Sequence, residues 1–291
     1  MPEGDTLWRT ADRLHRALAD APIILSDLRW GGLTGDLRGM LTLEVRSRGK
    51  HLLHRLDGGL TVHSHLRMEG QWRVVRPGPQ TDAAMRRSDL RAAMGTADWT
   101  ALGLRLGMLD LIRTRDEGTL VGHLGPDVLG ADWDPQEATR RLLARGGLIV
   151  DGLLDQRMLA GVGTYWASEG LFIERVLPWT PVADLGPERT SALLDRIHRL
   201  MDRAKDHALQ SSTGDLRRGY ESYVHARSGR PCRRCGDTIR VAMTGEAPQQ
   251  RTIFSCPTCQ GGYAPTDDRQ PQAPLGSGSK RGTAYRPRSG A

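Results

Sequence analysis

The chain has 291 residues, of which 38% are hydrophobic and 26% charged, and its formal net charge at pH 7 is +7. These values fit a globular protein of two domains with small additions. They exclude a membrane span, because no run of about 18 apolar residues is present. The acidic start lacks a charged region followed by an apolar core, which excludes a secretory signal, so we expect a cytoplasmic protein.

The first half of the chain is predicted to be a leading helix followed by short strands. Leu7, Ala11, Leu14 and Leu18 recur at helical spacing, which predicts an amphipathic helix over residues 5–19. Strand-like segments follow at 23–30, 41–47, 51–56, 60–65, 71–75, 97–102 and 106–112. Asp57-Gly58-Gly59 is a hairpin signal. This spacing indicates a β-sandwich or barrel.

Helical periodicity dominates from Asp134 onward. It predicts helices over residues 135–144, 153–159, 164–174 and 187–207. Asp134 is the expected N-cap of the first of these helices, with Pro135 in its first turn. Residues 261–291 are rich in Pro, Gly, Ser and Arg and are expected to be disordered.

The only four cysteines form two Cys-x-x-Cys pairs. These are Cys232 with Cys235 and Cys256 with Cys259, and twenty residues separate the pairs. Each pair can hold Zn²⁺ from a tight turn, and the gap suits a β-hairpin. Two disulfides are the alternative, which the lack of a secretory signal disfavours. Four thiolates would close the tetrahedron, so the predicted single zinc ion is structural.

The surroundings of the cysteines are strongly basic. Eight arginines and only three acidic residues lie between Arg217 and Arg251. Such a patch is the electrostatic signature of a DNA- or RNA-binding module. The alternative is a solvated basic face that binds nothing.

The amino terminus offers a candidate nucleophile. Removal of the initiator Met would leave Pro2 with a secondary amine, which can form an iminium directly with a sugar carbon. An α-amino group titrates near ~8, and the neighbouring Glu3 can serve as general acid or base. The alternative is that Pro2 is a common second residue in a frayed terminus.

Further along, three features have competing interpretations. Lys50 follows Gly49 at the start of a predicted strand, where it can clamp a phosphate, act as a second amine or merely protect a strand edge. His63 and His65 can bind a metal, but positioning of the catalytic pocket or core hydrogen bonding is favoured. The segment around Arg86 is expected to be a mobile loop.

Taken together, these segments resemble the formamidopyrimidine-DNA glycosylase/endonuclease VIII family of base-excision repair enzymes. The matching motifs occur in the family's order and cover roughly residues 1–260. They are MPEGD at 1–5, RGK at 48–50, HLRMEG at 65–70, LDQRMLAGVG at 154–163 and RTIFSCPTCQ at 251–260. The start most resembles the endonuclease VIII-like branch found in actinobacteria.

The expected fold is therefore α+β and multidomain. An N-terminal catalytic β-sandwich with a leading helix is expected over residues 1–125, and a helix–two-turn–helix DNA-binding domain over 126–218. A zinc β-hairpin finger is expected over 219–262 and a disordered basic tail over 263–291.

The resemblance implies specific catalytic roles. Pro2 would be the Schiff-base nucleophile at deoxyribose C1′, and Glu3 the acid that helps to open the sugar. Lys50 would contact phosphate and assist base removal. Arg251, at the tip of the zinc hairpin, would hold the phosphates that flank the lesion.

The resemblance also implies how DNA is gripped. Met68 and its neighbours would fill the hole left by the extruded nucleotide, and the turn at 161–164 would hold phosphate. The residues expected to bind DNA are Arg67, Met68, Glu69, Gly161, Gly163, Thr164 and Arg251. The family's motif usually has Asn after the second glycine, so Thr164 is expected to weaken DNA binding or to cap the next helix. Trp166 stands where a smaller residue is common.

The sequence thus predicts a bifunctional DNA glycosylase/AP lyase. It would remove oxidised bases, pyrimidines favoured, through a Schiff base of the N-terminal proline and then cleave the strand by β/δ-elimination. One alternative is a catalytically weak or inactive damage-binding paralogue, and another is an AP lyase with little base-excision activity. The expected partner is damaged DNA, and a monomer in the bacterial cytoplasm, associated with the nucleoid, is expected.

Overall fold

The computed structural model describes residues 2–31, 33 and 35–272. Its first part is a sandwich of two four-stranded antiparallel sheets, as predicted. One sheet contains, in spatial order, β1 (Leu25–Leu28), β6 (Leu90–Gly95), β7 (Thr100–Leu104) and β5 (Gln71–Val75). The other contains β2 (Thr42–Arg48), β3 (His51–Leu56), β4 (Leu60–His65) and β8 (Met108–Arg113).

The leading helix closes the sandwich core. This helix, α1, spans Gly4–Leu18, and its predicted apolar stripe is buried. Leu7 and Leu14 on that stripe belong to the same hydrophobic cluster as Leu52, Leu56 and Leu109 from the second sheet. Burial of this stripe ties the start of the chain to the sandwich, because apolar area removed from water stabilises the fold by about 25 cal/mol per Å².

The second part of the molecule is helical. It contains α4 (Pro135–Arg145), α5 (Ile149–Leu154), α6 (Thr164–Ile173) and α7 (Val182–Ala204, interrupted at Gly186). Helix α6 is buried from Thr164 to Phe172, so it forms the centre of this part rather than an amphipathic edge. The predicted cap of α4 is confirmed, since the Asp134 carboxylate accepts from two N–H groups of the first turn. Short helices α2 (Pro79–Met85), α3 (Gly118–Val121) and α8 (Pro257–Gln260) complete the set in the part of the chain that the structure describes.

The third part is a two-stranded hairpin. Strands β9 (Arg240–Thr244) and β10 (Arg251–Ser255) pair antiparallel, with Arg251 opposite Thr244. Its small core joins Ile239, Phe254 and Cys256 to Phe172 of α6. The hairpin is thereby packed on the helical part.

Three elements differ from the sequence-based predictions. The helix expected at 153–159 is instead α5, which ends at Leu154 because Asp155 leaves the helical conformation and its carboxylate accepts from the Arg157 N–H. Helix α2 and strand β6 were not predicted; α2 ends at Met85 and β6 begins at Leu90, so Arg86 lies in the turn that joins them. Strand β6 shows no alternation because both of its faces are buried, one of them under α2.

The expected disorder from residue 263 is also wrong for residues 263–272. The buried guanidinium of Arg240 pairs with Asp267, and the side chain of Gln272 exchanges two hydrogen bonds with the backbone of Val241. This segment therefore extends the hairpin. The rest of the predicted basic tail, residues 273–291, lies outside the described residues. No helix of the described chain is long and apolar enough to cross a membrane.

Candidate active site

Residues next to the amino terminus are fixed on the helical part. The Glu3 side chain is 1% exposed, and its carboxylate accepts from the N–H groups of Gly163 (2.8 Å), Tyr165 (2.8 Å) and Trp166 (3.3 Å). These donors belong to the first turn of α6, whose unsatisfied N–H groups favour a negative charge. A frayed terminus, the alternative considered for Pro2, is therefore not what the structure shows.

Two further contacts anchor the start of α1. The Gly4 N–H donates to the carbonyl of Gly161 at 2.9 Å. The Asp5 carboxylate accepts from the indole N–H of Trp166 at 3.0 Å and from the amide of Gln210 at 2.8 Å. Trp166 departs from the family's pattern, and the buried Asp5 carboxylate accepts the hydrogen bond of its indole N–H.

The turn before α6 is shaped by Glu3 rather than left open for phosphate. A Cβ on Gly163 would lie 2.4 Å from Cδ of Glu3, so only glycine leaves room for the carboxylate. The Gly161 N–H donates to the Gln156 side chain at 3.0 Å. Thr164 makes no side-chain cap, because Glu3 takes that place. The N–H groups of both glycines therefore have protein acceptors, and their expected grip on phosphate is not supported by these bonds.

The turn that carries Lys50 packs against the same region. Gly49 has φ +58°, and a Cβ there would lie 2.9 Å from Cβ of Ala160. The Gly49 N–H donates to the buried Asp127 carboxylate at 2.7 Å, and Asp127 also accepts from Leu129 N–H at 3.1 Å. Asp127 therefore holds the β2–β3 turn against the loop that precedes α6.

The charges of this region act on one another. Burial raises the pKa of Glu3, an effect that the Lys50 charge and the α6 amides oppose. Burial also lowers the pKa of Lys50, which the charge of Glu3 opposes and that of Arg251 reinforces. Pro2, Glu3, Lys50 and Arg251 were predicted to act together; Glu3 and Lys50 shift each other's pKa, and the charge of Arg251 acts on the pKa of Lys50. Arg251 itself is exposed at the start of β10.

Pro2 lines a pocket of about 450 Å³, and larger clefts lie elsewhere on the described surface. The other lining residues are Thr6, Arg9, Tyr165, Ala208, Leu209, Gln210, Glu221 and His225. The ring of His225 lies edge-on to Tyr165 and to Phe254, each at 5.0 Å, and burial lowers the pKa of His225 to about 4. This imidazole is therefore neutral at physiological pH.

One face of α6 holds the segment that closes this pocket. The Tyr165 hydroxyl donates to the Glu221 carbonyl at 2.9 Å and accepts from the Ser212 N–H at 3.0 Å. One turn later, the buried Glu169 carboxylate accepts from the N–H groups of residues 223, 224 and 225 at 2.7–2.8 Å. Burial raises the pKa of Glu169 against these hydrogen bonds.

The turn after β4 presents the residues expected to fill the DNA stack. Met68 is 66% exposed, and Arg67 and Glu69 beside it are also exposed. Arg67 has φ +51°, a left-handed conformation that is uncommon for a side chain of its size, and its N–H donates to Nδ1 of His65 at 2.9 Å. The turn is thus held in shape before any DNA is bound.

A chain of histidines supports this turn from behind. Nδ1 of His63 lies 2.8 Å from the Asp110 carboxylate, and its Nε2 lies 2.8 Å from Nδ1 of His51. The His51 ring then lies edge-on to His65 at 4.9 Å. Both nitrogens of His63 are engaged, which favours the predicted positioning role over the metal alternative.

The four cysteines form the only group of such ligands that can hold a metal ion among the described residues. Their sulfurs all lie within 4.8 Å of one another, with 3.9 Å between Cys232 and Cys259 and 3.5 Å between Cys235 and Cys256. Tetrahedral zinc with Zn–S near 2.3 Å requires sulfurs about 3.8 Å apart, whereas a disulfide requires about 2.0 Å. The geometry fits one metal ion and not two disulfides.

Several site residues escaped prediction from the sequence. Asp127 and Glu169 act through contacts with residues far away in the chain, so no local pattern indicates them. Trp166 was noted as a departure from the family's pattern, but its partner Asp5 belongs to the matching motif at 1–5, so the sequence did not connect the two. A single charged residue within the otherwise uncharged run 164–173 is the one general signal that could have pointed to Glu169.

Comparison with known proteins gives concordant results over most of the chain. The sequence profile of the formamidopyrimidine-DNA glycosylase N-terminal domain matches residues 1–105, and that of the same family's H2TH domain matches residues 124–214. A probable endonuclease 8 2 of Streptomyces coelicolor is 46% identical over 267 residues, covering 91% of this chain and 96% of its own length. The DNA-(apurinic or apyrimidinic site) lyase Nei2 of Mycolicibacterium smegmatis is 39% identical over 263 residues, covering 89% of this chain and 99% of its own.

Solved structures agree. The formamidopyrimidine-DNA glycosylase of Lactococcus lactis, in complex with DNA that contains an oxidised pyrimidine, has a TM-score of 0.74 and 25% identity. The match covers 89% of this chain and 99% of the Lactococcus lactis chain. The two profile matches and the 46% identity to the Streptomyces coelicolor protein show that the chain belongs to the formamidopyrimidine-DNA glycosylase/endonuclease VIII family of base-excision repair enzymes.

Proposed function

We propose that this protein is a bifunctional DNA glycosylase/AP lyase that excises oxidised bases, pyrimidines favoured, with Pro2 as its nucleophile. The observation that carries the proposal is the anchoring of Glu3 on the first turn of α6. This contact holds Pro2 at the wall of a pocket large enough for a base. A flexible terminus could not hold an amine at the attack distance that such chemistry requires.

In the proposed first step, the Pro2 nitrogen attacks C1′ of an extruded nucleotide. The glycosidic bond breaks, the base leaves with a proton, and an iminium joins Pro2 to the sugar. Glu3, whose pKa is raised by burial, supplies a proton to the sugar ring oxygen as the ring opens. Extrusion of the base is needed because the reacting carbon is inaccessible within the stacked duplex.

The second step cleaves the strand. The iminium acidifies the C2′ proton, and its removal expels the 3′ phosphate by β-elimination, after which δ-elimination releases the sugar. Lys50, whose pKa is lowered by burial, contacts phosphate and assists base removal, and Arg251 offers a guanidinium to the flanking phosphates. Met68 and its neighbours fill the vacated stack, because an inserted apolar wedge offsets part of the unstacking cost.

One structural zinc ion is proposed for the four cysteines. It would be held by Cys232, Cys235, Cys256 and Cys259, and four thiolates leave no open position for catalysis. Its contribution would be to fold the hairpin that carries Arg251. We further propose that the protein acts as a monomer on damaged DNA in the cytoplasm, at the nucleoid.

Borohydride trapping tests the proposal. Duplexes that carry either an oxidised pyrimidine or an abasic site are incubated with enzyme and reductant. Covalent adducts with both are expected, and an uncleaved amino-terminal extension that acylates the proline nitrogen should abolish both. Persistence of the adduct with the blocked terminus would show that another amine is the nucleophile.

A second candidate is an AP lyase with little base-excision activity, which the name of the Mycolicibacterium smegmatis relative favours. It predicts adducts with the abasic duplex alone. The pocket beside Pro2 supports base excision instead, because an enzyme that acts only on abasic sites needs no space for a base.

A further inference from the structure

One acidic side chain in the Pro2 pocket has an unsatisfied oxygen. Oε2 of Glu221 is buried and has no hydrogen-bond partner among the described residues. Glu221 lines the same pocket as Pro2. A buried acceptor without a donor costs about 1–3 kcal/mol, so such groups are rare unless a ligand or another function uses them.

The side chain of Glu221 is not needed to hold its own segment. The anchoring contacts go to its backbone carbonyl, which accepts from the Tyr165 hydroxyl at 2.9 Å and from Ser212 N–H at 3.0 Å. The carboxylate therefore belongs to a segment that is fixed by other means. This separation argues for a role of the side chain outside folding.

A carboxylate at position 221 is also unfavourable for general DNA binding. Glu221 is one of only three acidic residues between Arg217 and Arg251, a stretch with eight arginines. Asp237 in the same stretch has a structural task, since its two carboxylate oxygens accept from Thr238 N–H and the Thr258 hydroxyl. A carboxylate next to phosphates opposes binding, so its presence in the pocket calls for a specific donor.

We propose that Glu221 reads the extruded base by accepting an N–H from its Watson–Crick edge. This assignment rests on the proposed function, since it assumes that the Pro2 pocket receives the base. The favoured class is an oxidised pyrimidine of the uracil or thymine type, whose ring N3–H is such a donor. Enzymes that extrude a base commonly read that edge by hydrogen bonds.

Other groups of the pocket fit this assignment. Two other polar side chains that line the pocket already have acceptors of their own. The Gln210 amide donates an N–H to Asp5, and the Arg9 guanidinium donates to the carbonyl of His207. Arg9 adds a cationic donor to the same pocket, where it suits the carbonyls that flank an imide N–H. Tyr165 and Leu209 provide the apolar surface against which a ring can lie.

The test compares 5-hydroxyuracil with its N3-methyl analogue in otherwise identical duplexes. Excision by wild-type enzyme and by Glu221→Ala and Glu221→Gln is measured under single-turnover conditions, each divided by the rate of cleavage at an abasic site. Glu188→Ala, an exposed glutamate of α7 outside the pocket, is the matched control. The abasic substrate has no base, so this ratio isolates recognition of the base.

For 5-hydroxyuracil, the ratio is expected to fall about 10-fold or more in Glu221→Ala, and less in Glu221→Gln, which keeps a neutral acceptor. Wild-type enzyme should discriminate against the N3-methyl base, and Glu221→Ala should lose most of that discrimination. Equal discrimination by wild type and Glu221→Ala would overturn the assignment. Failure of wild-type enzyme to form an adduct with the abasic site would instead overturn the proposed function, on which the assignment rests.

Thermal denaturation separates recognition from a structural role. Removal of a buried unsatisfied oxygen should leave the Tm of Glu221→Ala equal to or above that of wild type. A lower Tm, with both activities reduced in parallel, would show that Glu221 is structural and would overturn the assignment.

Discussion

Glu3 connects the nucleophile to the rest of the molecule. Its carboxylate accepts from three amides at the start of α6, 160 to 163 positions away in the sequence, and it occupies space that only Gly163 leaves free. The placement of Pro2 therefore depends on Gly163, because a larger side chain at that position would displace Glu3. This dependence can be tested without touching either proposed catalytic group.

Gly163→Ala is expected to lower borohydride trapping about 100-fold, because a displacement of roughly 1 Å at a reacting group costs that much. The added Cβ would lie 2.4 Å from Cδ of Glu3 and would force the carboxylate out of its place. Gly118→Ala is the matched control, since a Cβ there meets nothing within 4 Å. Wild-type trapping by Gly163→Ala with an intact circular dichroism spectrum would contradict this account.

At the scale of single residues, the sequence predicted which side chains are catalytic candidates but not which residues hold them in place. Pro2, Glu3 and Lys50 were recognised from residue chemistry and the family's motifs. Their surroundings were not, because Asp127, Gly163 and Glu169 act across contacts that only the folded chain creates. Thr164 shows the limit most clearly: its expected cap is replaced by a carboxylate from the other end of the chain.

Among the elements, the turn after β4 is the one whose shape is expected to control base extrusion. Its left-handed residue, Arg67, is held by a hydrogen bond to His65, and His65 is supported by His51 and His63. Loss of the acceptor on His65 should release the turn. Exposed Met68 would then enter the stack less often.

His65→Leu is expected to reduce excision from a duplex about 10-fold relative to excision from single-stranded DNA, in which no partner base must be replaced. The rate ratio for the two substrates is the measurement. His65→Asn is the matched variant, because an Asn side chain can accept from the N–H two residues later and so preserve the turn. Equal ratios in His65→Leu and wild type would show that this hydrogen bond does not govern extrusion.

The hairpin is the element that depends on a metal in this proposal. Removal of metal by a chelator is expected to unfold it, because binding energy in such sites is folding energy. Arg251 would then lose its position, and the slope of log K against log salt for duplex binding should fall by about 1. Arg251→Ala in metal-loaded protein should give the same change in slope. An unchanged slope after verified metal loss would contradict the link between metal and Arg251.

Helices and strands were predictable from the sequence where only one face is buried, and not where both faces are buried. Helix α1 and strands β3 and β4 show clear periodicity and were predicted within a residue or two. Strand β6 is buried on both faces and carries no alternation, so the sequence offered no periodic signal. The end of α5 is set by a local hydrogen bond between Asp155 and Arg157, which competes with helical geometry.

For the whole molecule, stability is expected to depend on groups that are buried in a neutral form. Burial lowers the pKa of His51 to about 3 and those of His54, His65 and His225 to about 4. A histidine with a lowered pKa binds its proton only in the unfolded chain between the two pKa values, so stability falls as pH drops through that window. Glu3 and Glu169, whose pKa values are raised, oppose this trend, because their stabilising effect is lost as pH rises.

A single substitution measures the contribution of one histidine to this pH dependence of stability. His225 lies between the rings of Tyr165 and Phe254, so His225→Phe keeps an aromatic side chain there and removes the titrating group. Relative to wild type, the variant should gain about 1.4 kcal/mol of unfolding free energy per pH unit as pH falls from about 6.5 to about 4, and no further gain is expected above that range. Urea unfolding at several pH values measures the difference directly, and the opposing carboxyls cancel because both proteins contain them. A difference that stays constant with pH would mean that His225 takes up its proton equally well in the folded chain, and the burial of this pocket would then be less complete than the structure indicates.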